Sequence, residues 1–584
     1  MNGLVALAPS CGFPSTHAAR RFKPWHLRLD STAGWGKYNK YHWLEGGYQD
    51  FLEFFFGQMF SEPHSTKQIE DCVGWGLQVS PWTLVDTTAG RLGLEGATCT
   101  PLDDLCALVR CPVLVLHGTE DRISPAAQGE RLAELTNGTL VRLEGGGHGP
   151  QGRDPVLVNR LIKDFVDGLF PAVPHSLRVR AAVRPKRVLY LSSPIGLGHA
   201  RRDVAIAQEL RSLHPNLHID WLAQHPVTRV LEPAGERLHP SSAWLLSESG
   251  HIEQEAGEHD LHAFQAIRRM DEILVNNFMV FHDLVAEEHY DLVIGDEAWD
   301  VDYFLHENPE LKRFPFAWMT DFVGWLPMPD GGPRDAMLTA DYNAEMIEQR
   351  ARFRTVRDKS VFVGNPDDIV DADFGPGLPP IRTWTEDNFD FAGYVTGFVP
   401  PAPNQSRALR RRLGYAADEL LCVVTVGGSG VGQPLLGRVL DAVPLARRMV
   451  PELRFLVVTG PRIDPASVRR RDGVRVRGYL PDLHLLLAAA DLAVVQGGLT
   501  TCMELTASRT PFIYVPLRNH FEQNLHVRKR LERYEAGRCL AYDEASDPDC
   551  LAEAIAKEVR REVAYQPVET DGAVRAAAML AELL

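Results

Sequence analysis

Short apolar runs alternate with helical segments throughout residues 185–584, and this pattern limits the possible folds more than any other feature. The clearest runs are those at 188–191, 421–426, 455–459, 492–495 and 512–515. Runs of this kind are typical of parallel strands covered by helices on both faces, as in α/β folds. Such sheets bind ligands at the carboxyl ends of their strands, so the residues after each run are candidates for a functional site.

One hydrophobic core rarely serves more than about 250–300 residues, so a chain of 584 residues should contain several domains. Proline-rich segments indicate where the boundaries between these domains lie. One such segment spans 171–185 and follows an amphipathic stretch that ends in LIKDFVDGLF. Another is the VPPAP run at 399–403, which is typical of a stiff connector. We therefore predict domains at 1–172, 185–397 and 407–584, with linkers at 173–184 and 398–406.

The net charge of −16 at pH 7 argues against nucleic-acid binding, which requires a basic surface to displace counterions from phosphate. Nine cysteines occur without CxxC or Cys/His ligand spacing, so we expect no metal site of that type and a reducing, cytoplasmic location. No apolar stretch reaches the roughly 18 residues of a membrane span, and the start lacks a basic signal-peptide region. A peripheral membrane contact is compatible with this sequence.

The first block contains CPVLVLHGTEDRISP at 111–125 and LVRLEGGGHGP at 140–150. These segments resemble the last third of an α/β-hydrolase, in which Asp121 would be the acid and His148 the histidine of a catalytic triad. That family places its serine in a GxSxG elbow, and GxSxG is absent from this sequence. The resemblance implies an incomplete hydrolase-like domain without hydrolase activity. It is either a remnant that packs against the rest of the chain or a domain whose start was assigned wrongly.

The first strand of the second block runs into SSPIGLGHARR, which contains Gly196, Gly198, His199 and Arg202. Glycines permit a tight turn and a close approach to a ligand, and the N-terminus of a helix favours negative charge. We expect that helix to begin at about Asp203. Taken alone, this pattern indicates either a ligand-binding loop or an ordinary tight turn.

The most specific pattern is RGYLPDLHLLLAAADLAVVQGGLTTCMELTASRTPFIYVPLRNHFEQN at 477–524. It resembles the nucleotide-sugar signature of glycosyltransferases with the GT-B fold, which has two Rossmann-like domains facing a cleft. The resemblance places Tyr479 and Leu480 at the base, Gln496, Gly497, Gly498, Thr500 and Thr501 at the diphosphate, Glu504 at the ribose, and His520, Glu522, Gln523 and Asn524 at the sugar. Gln496 departs from many relatives, which have a histidine there. The alternative is a Rossmann-like domain whose glycines only form turns.

The same resemblance covers the second block, whose GLGHARR matches the GxGHxxR loop of that superfamily. It implies that His199 is the general base and that an aspartate at the end of a later strand orients it. The segment YDLVIGD makes Asp296 the candidate, with Glu297 and Asp300 as alternatives. In the third block it places Gly428 and Ser429, of the VGGSGVG loop, beside the cleft.

The sequence therefore predicts a GT-B glycosyltransferase at 185–584. The enzyme would transfer a hexosyl group from a UDP- or dTDP-sugar, a co-substrate, to a hydroxyl of a small-molecule, lipid or glycan acceptor, with neither metal nor cofactor. An epimerase of the same fold and a nucleotide-sugar-binding protein without catalysis are the alternatives. Acid/base carboxylates on both faces of the sugar would favour the epimerase, and His199 pointing away from the cleft would favour the binding protein.

Overall fold

The structure is a computed structural model that describes residues 2–13, 25–91, 93, 100–170, 184–398, 400–416, 418–428 and 430–584. The chain divides into two compact units, Met1–Ala181 and Ala182–Leu584. No helix among the described residues combines the length and the apolar character that crossing a membrane requires.

The first unit is built around a parallel sheet whose strands lie in the order β1-β2-β3. These strands are β1 (Leu4–Leu7), β2 (Val113–Gly118) and β3 (Thr139–Leu143). The helices of the unit are α1 (Lys40–His42), α2 (Tyr48–Met59), α3 (Thr66–Leu77), α4 (Pro81–Arg91), α5 (Leu102–Cys106), α6 (Ala126–Thr136), α7 (Pro150–Arg153) and α8 (Pro155–Leu169). Strand β2 is central and buried along its whole length, as its apolar sequence VLVLHG requires.

The second unit begins with a parallel seven-stranded sheet in the order β10-β9-β8-β7-β4-β5-β6. Its strands are β4 (Arg187–Ser192), β5 (His218–Leu222), β6 (Arg237–Leu238), β7 (Leu292–Asp296), β8 (Phe316–Thr320), β9 (Lys359–Phe362) and β10 (Asp390–Phe391). Its helices are α9 (Leu197–Leu213), α10 (Thr228–Leu231), α11 (Glu248–Glu255), α12 (Ala263–Arg268), α13 (Asp271–Glu287), α14 (Trp299–Glu307), α15 (Gly332–Arg352) and α16 (Ile381–Asn388).

A parallel six-stranded sheet in the order β13-β12-β11-β14-β15-β16 forms the second domain of this unit. Its strands are β11 (Leu420–Thr425), β12 (Leu453–Val458), β13 (Val474–Arg477), β14 (Leu492–Val495), β15 (Phe512–Tyr514) and β16 (Arg538–Cys539). The helices are α17 (Pro403–Arg412), α18 (Gln433–Met449), α19 (Leu483–Ala488), α20 (Leu499–Ala507), α21 (Arg528–Arg533), α22 (Tyr542–Ser546), α23 (Pro548–Glu558) and α24 (Gly572–Ala581).

The last helix, α24, ties the two domains of the second unit together. It follows the second domain in sequence but packs on α9 of the first, where Ala576, Ala577 and Leu580 are fully buried. Burying these small and branched side chains against the first sheet fixes the end of the chain on the opposite domain. The end of the chain therefore belongs to the core of the first domain.

The structure confirms the predicted fold of two Rossmann-like α/β domains with parallel sheets. One detail of the prediction, the start of a helix, is wrong. Helix α9 begins at Leu197 rather than near Asp203. Gly196 has an extended backbone, and the residues from Leu197 onward are helical even though glycine, here Gly198, has a low helix propensity. The predicted linker 398–406 is helical from Pro403 onward, since proline is well suited to the first position of a helix.

Candidate functional site

A cavity of about 190 Å³ lies between the two domains of the second unit, at the carboxyl ends of β8, β11, β12 and β14. Ligands of doubly wound sheets bind at this end of the strands. Most of the residues that the sequence singled out line this one cavity. They are Gly196, Gly198, His199, Gly428, Tyr479, Leu480, Gln496, Gly498, Thr500, Thr501, Glu504, His520, Glu522 and Gln523.

The N-termini of two helices meet at this cavity. Helix α9 begins after Gly196 and α20 begins after Gly498, and the first turns of both helices line the cavity. The first amide groups of a helix have no partner within the helix and carry partial positive charge, so they stabilise a bound anion. The two helices approach so closely that a Cβ atom on Gly198 would lie 2.6 Å from Cβ of Thr500.

We predict that Gly198→Ala lowers the catalytic efficiency of the protein without unfolding it. The added methyl group meets Thr500 of the opposite domain, and overpacking of this kind costs roughly 1–3 kcal/mol, about 5- to 150-fold in kcat/KM. Alanine is favoured over glycine in a helix by about 1 kcal/mol, which offsets part of this cost, so the protein should remain folded at the assay temperature. Gly437→Ala in α18 is the matched control, because a Cβ there meets nothing within 4 Å. Equal activity of the two variants would contradict the prediction.

His199 is held by a buried network at the first-domain wall of the cavity. Its Nδ1 lies 3.1 Å from Oδ2 of Asp296 and 2.8 Å from Nη2 of Arg202. Nε of Arg202 donates to Oδ2 of Asp296 at 2.8 Å, and its Nη1 donates to Asp321. The Asp296 side chain is 0% exposed and that of Arg202 is 3% exposed, whereas 17% of the His199 side chain is accessible. The network therefore fixes the imidazole ring and leaves one edge free.

Opposing influences set the charge of this network. Burial and the Arg202 guanidinium lower the pKa of His199, but Asp296 and Glu297 outweigh them and raise it to about 9. Burial disfavours the charged form of Asp296 too, yet Arg202 and His199 hold its pKa well below the usual range. Nδ1 of His199 therefore faces both the Asp296 carboxylate and the Arg202 guanidinium, and the carboxylates around the ring favour its protonated form.

Carboxyl groups from both domains surround the accessible edge of His199. Oε2 of Glu297 lies 3.7 Å from its Nε2, and Asp321 and Glu522 line the same cavity. Burial, together with neighbouring carboxylates, raises the pKa of Glu297 to about 7 and that of Glu522 to about 8. Both alternatives to Asp296, Glu297 and Asp300, line a separate small cavity, and of the two Glu297 is the one that contacts His199.

Among the other predicted residues, Gln496 and Gly497 lie directly before α20. Gln496 is 8% exposed, and its Oε1 has no hydrogen-bond partner among the described residues. Gly497 lies beside the cavity lining with φ +103°, a conformation that favours glycine. Asn524 does not reach the cavity, because its Nδ2 donates to the carbonyls of Leu517 and His520 at 2.8 and 2.9 Å. Ser429 lies outside the described residues.

In the first unit the structure brings Asp121 and His148 together. Nδ1 of His148 lies 2.8 Å from Oδ2 of Asp121, and Nε2 of His117 lies 3.1 Å from the same oxygen. Burial opposes ionisation of Asp121, but the two histidines hold its pKa well below the usual range. The pair has the arrangement that the hydrolase resemblance implies, and the assignment of this unit as an incomplete hydrolase stays a prediction.

The sequence analysis missed the contacts that join the two domains beside the cavity. Nη1 of Arg201 donates to Oε1 of Glu504 at 3.0 Å, across the cleft. Farther out, Oε1 of Glu253 accepts from the Gly430 amide at 2.7 Å, and Nε2 of His259 lies 3.0 Å from the Val515 carbonyl. The position of Arg201, two residues after His199, could have indicated a cation beside the cavity. The outer contacts join residues that are far apart in the sequence, and no sequence motif predicts them.

Comparison with known proteins gives matches to glycosyltransferases. Residues 421–583 match the glycosyltransferase family 28 C-terminal domain. An uncharacterized glycosyltransferase of Methanopyrus kandleri is 29% identical over 178 residues, which are 30% of this chain and 49% of that protein. The UDP-N-acetylglucosamine–N-acetylmuramyl-(pentapeptide) pyrophosphoryl-undecaprenol N-acetylglucosamine transferase of Carboxydothermus hydrogenoformans is 30% identical over 138 residues, 22% of this chain and 36% of that protein.

The chain thus spans about half of the first of these relatives and about a third of the second. Among solved structures, the calicheamicin glycosyltransferase CalG4 aligns with 69% of this chain and 94% of its own, at 15% identity and a TM-score of 0.42. The spinosyn rhamnosyltransferase SpnG aligns with 68% of this chain and 95% of its own, at 16% identity and a TM-score of 0.42. The segment 421–583, which matches the glycosyltransferase family 28 C-terminal domain, contains α20 and Glu504.

Proposed function

We propose that this protein, which carries a glycosyltransferase family 28 C-terminal domain, transfers a hexosyl group from a UDP- or dTDP-sugar to a hydroxyl group of an acceptor in the cytoplasm. One observation carries the proposal: the His199–Asp296 pair and the donor residues of the matched segment line or adjoin a single cavity. The acceptor is a small molecule, a lipid or a glycan. UDP-N-acetylglucosamine is the first donor to test, because the name of the Carboxydothermus relative contains it.

In this proposal the second domain holds the donor. The amides at the start of α20 and the side chains of Thr500 and Thr501 bind the diphosphate, and Gln496, whose Oε1 has no hydrogen-bond partner among the described residues, lines the same cavity. The Glu504 carboxyl accepts hydrogen bonds from the ribose hydroxyls. Glu522, in the π-helical turn Glu522–Val527, lies on the side of the sugar.

In the transfer step, Nε2 of His199 takes the proton of the acceptor hydroxyl while that oxygen attacks the anomeric carbon. The bond between the anomeric carbon and the phosphate oxygen breaks, and the nucleoside diphosphate leaves with the electron pair. Asp296 orients the ring through Nδ1 and stabilises the imidazolium that forms. The helix N-termini stabilise the negative charge on the leaving diphosphate.

The pKa of His199 predicts an alkaline limb in the pH profile. A general base acts in its neutral form, and a pKa of about 9 leaves only about one hundredth of the imidazole neutral at pH 7. We therefore expect kcat/KM to rise with pH between 7 and 9 and then to level off. Initial rates across this range in constant-ionic-strength buffers provide the measurement. A flat profile between pH 7 and 9 in the wild-type protein would contradict the assignment of His199 as the base.

We propose further that the transfer needs no metal ion. His199, Asp296 and Glu297 offer ligand atoms within 4.8 Å of one another. However, the Arg202 guanidinium already neutralises both oxygens of Asp296, and its charge disfavours a cation at the same place. We expect activity to survive 10 mM EDTA, roughly a thousandfold excess over trace metal, within about twofold. Loss with EDTA and recovery with Mg²⁺ or Mn²⁺ would contradict this.

A nucleotide-sugar epimerase is the second candidate, since Glu522 lines the cavity from the second domain, Glu297 contacts His199 of the first, and both carboxyl groups have raised pKa values. By contrast, His199 is paired and lines the cavity, which does not favour a silent binding protein. Incubating a panel of UDP- and dTDP-sugars with and without candidate acceptors separates the two reactions. A transferase releases the nucleotide in step with a glycosylated product, whereas an epimerase converts the sugar when no acceptor is present.

A further inference from the structure

Arg201 occupies the place that the proposed function assigns to the ribose. It lies on α9 of the first domain, and its Nη1 donates to Oε1 of Glu504 at 3.0 Å, while Nη2 donates to the Pro481 carbonyl at 3.0 Å. The Glu504 side chain is 4% exposed and that of Arg201 is 20% exposed. Burial raises the pKa of Glu504, and Arg201 opposes that shift. A ribose that binds Glu504 must therefore compete with Arg201.

The charges around the cavity give Arg201 a second role. The acidic residues lining it are Asp321, Glu504 and Glu522, and among the described lining residues Arg201 is the one arginine or lysine. A diphosphate carries at least two negative charges and needs cationic partners in a buried site, where His199, whose pKa is about 9, is a second cation of the lining at pH 7. Gln496 is neutral and adds no compensating charge. The guanidinium geometry of arginine suits phosphate oxygens, to which it donates in pairs.

We propose that Arg201 is a ligand of the donor diphosphate and that it exchanges its ion pair with Glu504 for the diphosphate when the donor binds. The proposal rests on the proposed function of the cavity. When the donor binds, the ribose hydroxyls take over Glu504 and Arg201 turns to the diphosphate at the start of α20. Both partners of the ion pair then have new partners, so the exchange leaves no buried charge unpaired.

This exchange makes Arg201 a specificity determinant for nucleoside diphosphates. A nucleoside offers ribose hydroxyls to Glu504 but nothing to Arg201, so its binding breaks the ion pair without compensation. A nucleoside diphosphate compensates both groups. Because Arg201 and the donor helix belong to different domains, the same contact joins the domains around a complete donor.

The test compares UDP and uridine, or dTDP and thymidine, on the full chain and on Arg201→Ala. We expect UDP affinity by calorimetry to fall roughly 10- to 100-fold, as for loss of charged hydrogen bonds. Uridine affinity by ligand-observed NMR should stay equal or rise, since its competitor for Glu504 is gone. Arg201→Gln should give the same pattern. Equal weakening of both ligands, or unchanged UDP affinity, would overturn the proposal.

Two controls make the result specific. Arg438→Ala removes another ion pair between the domains, with Glu258, that lies outside the cavity lining. It should leave UDP affinity unchanged, and a loss equal to that of Arg201→Ala would show a general effect of domain closure and overturn the proposal. A wild-type protein that binds neither UDP nor dTDP would refute the proposed function itself. Wild-type binding that the Arg201 variants retain would refute only the role of Arg201.

Discussion

His199→Ala is expected to lower kcat for sugar transfer by about 10²- to 10⁴-fold, the usual contribution of a positioned general base. Nε2 of His199 is the accessible nitrogen of the ring, and Asp296 holds the other. The substitution removes the group that takes the acceptor proton but none of the donor contacts on α20. The affinity for UDP should therefore change by less than about threefold, a difference of roughly 0.6 kcal/mol.

Initial rates and calorimetric UDP titrations on the same protein preparation separate these two effects. The matched control is His289→Ala, because the His289 side chain is 71% exposed and lies outside the cavity lining. The control should retain wild-type rates. A His199→Ala variant with near-normal kcat, or with UDP affinity lost together with kcat, would contradict its role as the base.

Asp296→Ala is expected to cause the largest loss of stability among the site variants, about 3–5 kcal/mol in the free energy of unfolding. The Asp296 carboxylate is fully buried and accepts hydrogen bonds from Arg202, whose side chain is 3% exposed. Removing one partner of a buried ion pair leaves the other charge without compensation, which costs about that much. Asp321 still pairs with Arg202, so the lower end of the range is expected.

Urea denaturation followed by circular dichroism measures this loss. Asp371→Ala is the control, because Asp371 and Lys529 form an ion pair between side chains that are 66% and 36% exposed. Exposed pairs contribute little to stability, so the control should unfold near the wild-type midpoint. Similar midpoints for the two variants would show that Asp296 is not part of the buried ionic network.

The sequence predicted the sheets because their strands are buried on both faces. The run at 492–495, for example, is strand β14 without any change of bounds, and the run at 188–191 is extended by one residue at each end. The start of α9 was misplaced because glycine has a low helix propensity, whereas Gly198 is required by the close approach of Thr500. Tertiary packing, which a local pattern cannot report, decided that helix boundary.

Most of the candidate donor residues lie around one cavity, because they follow strands whose carboxyl ends meet, and their roles stay a prediction. The sequence did not predict the Arg201–Glu504 contact, which joins residues 303 positions apart. Likewise, Asn524 stabilises the turn after Leu517 instead of facing the cavity, since its amide is taken by two backbone carbonyls. Side-chain partners of this kind depend on how the two domains close, and spacing in the sequence contains no information about that.

The most direct test of the central claim is a calorimetric titration of the full chain with UDP, dTDP and UDP-N-acetylglucosamine, repeated on Glu504→Ala. We expect at least one of these ligands to bind with a Kd in the micromolar range, about −8 kcal/mol. In Glu504→Ala that affinity should fall at least about tenfold, because the ribose hydroxyls lose a buried acceptor. Absence of binding to every nucleotide, or binding that Glu504→Ala leaves unchanged, would contradict a donor site at this cavity.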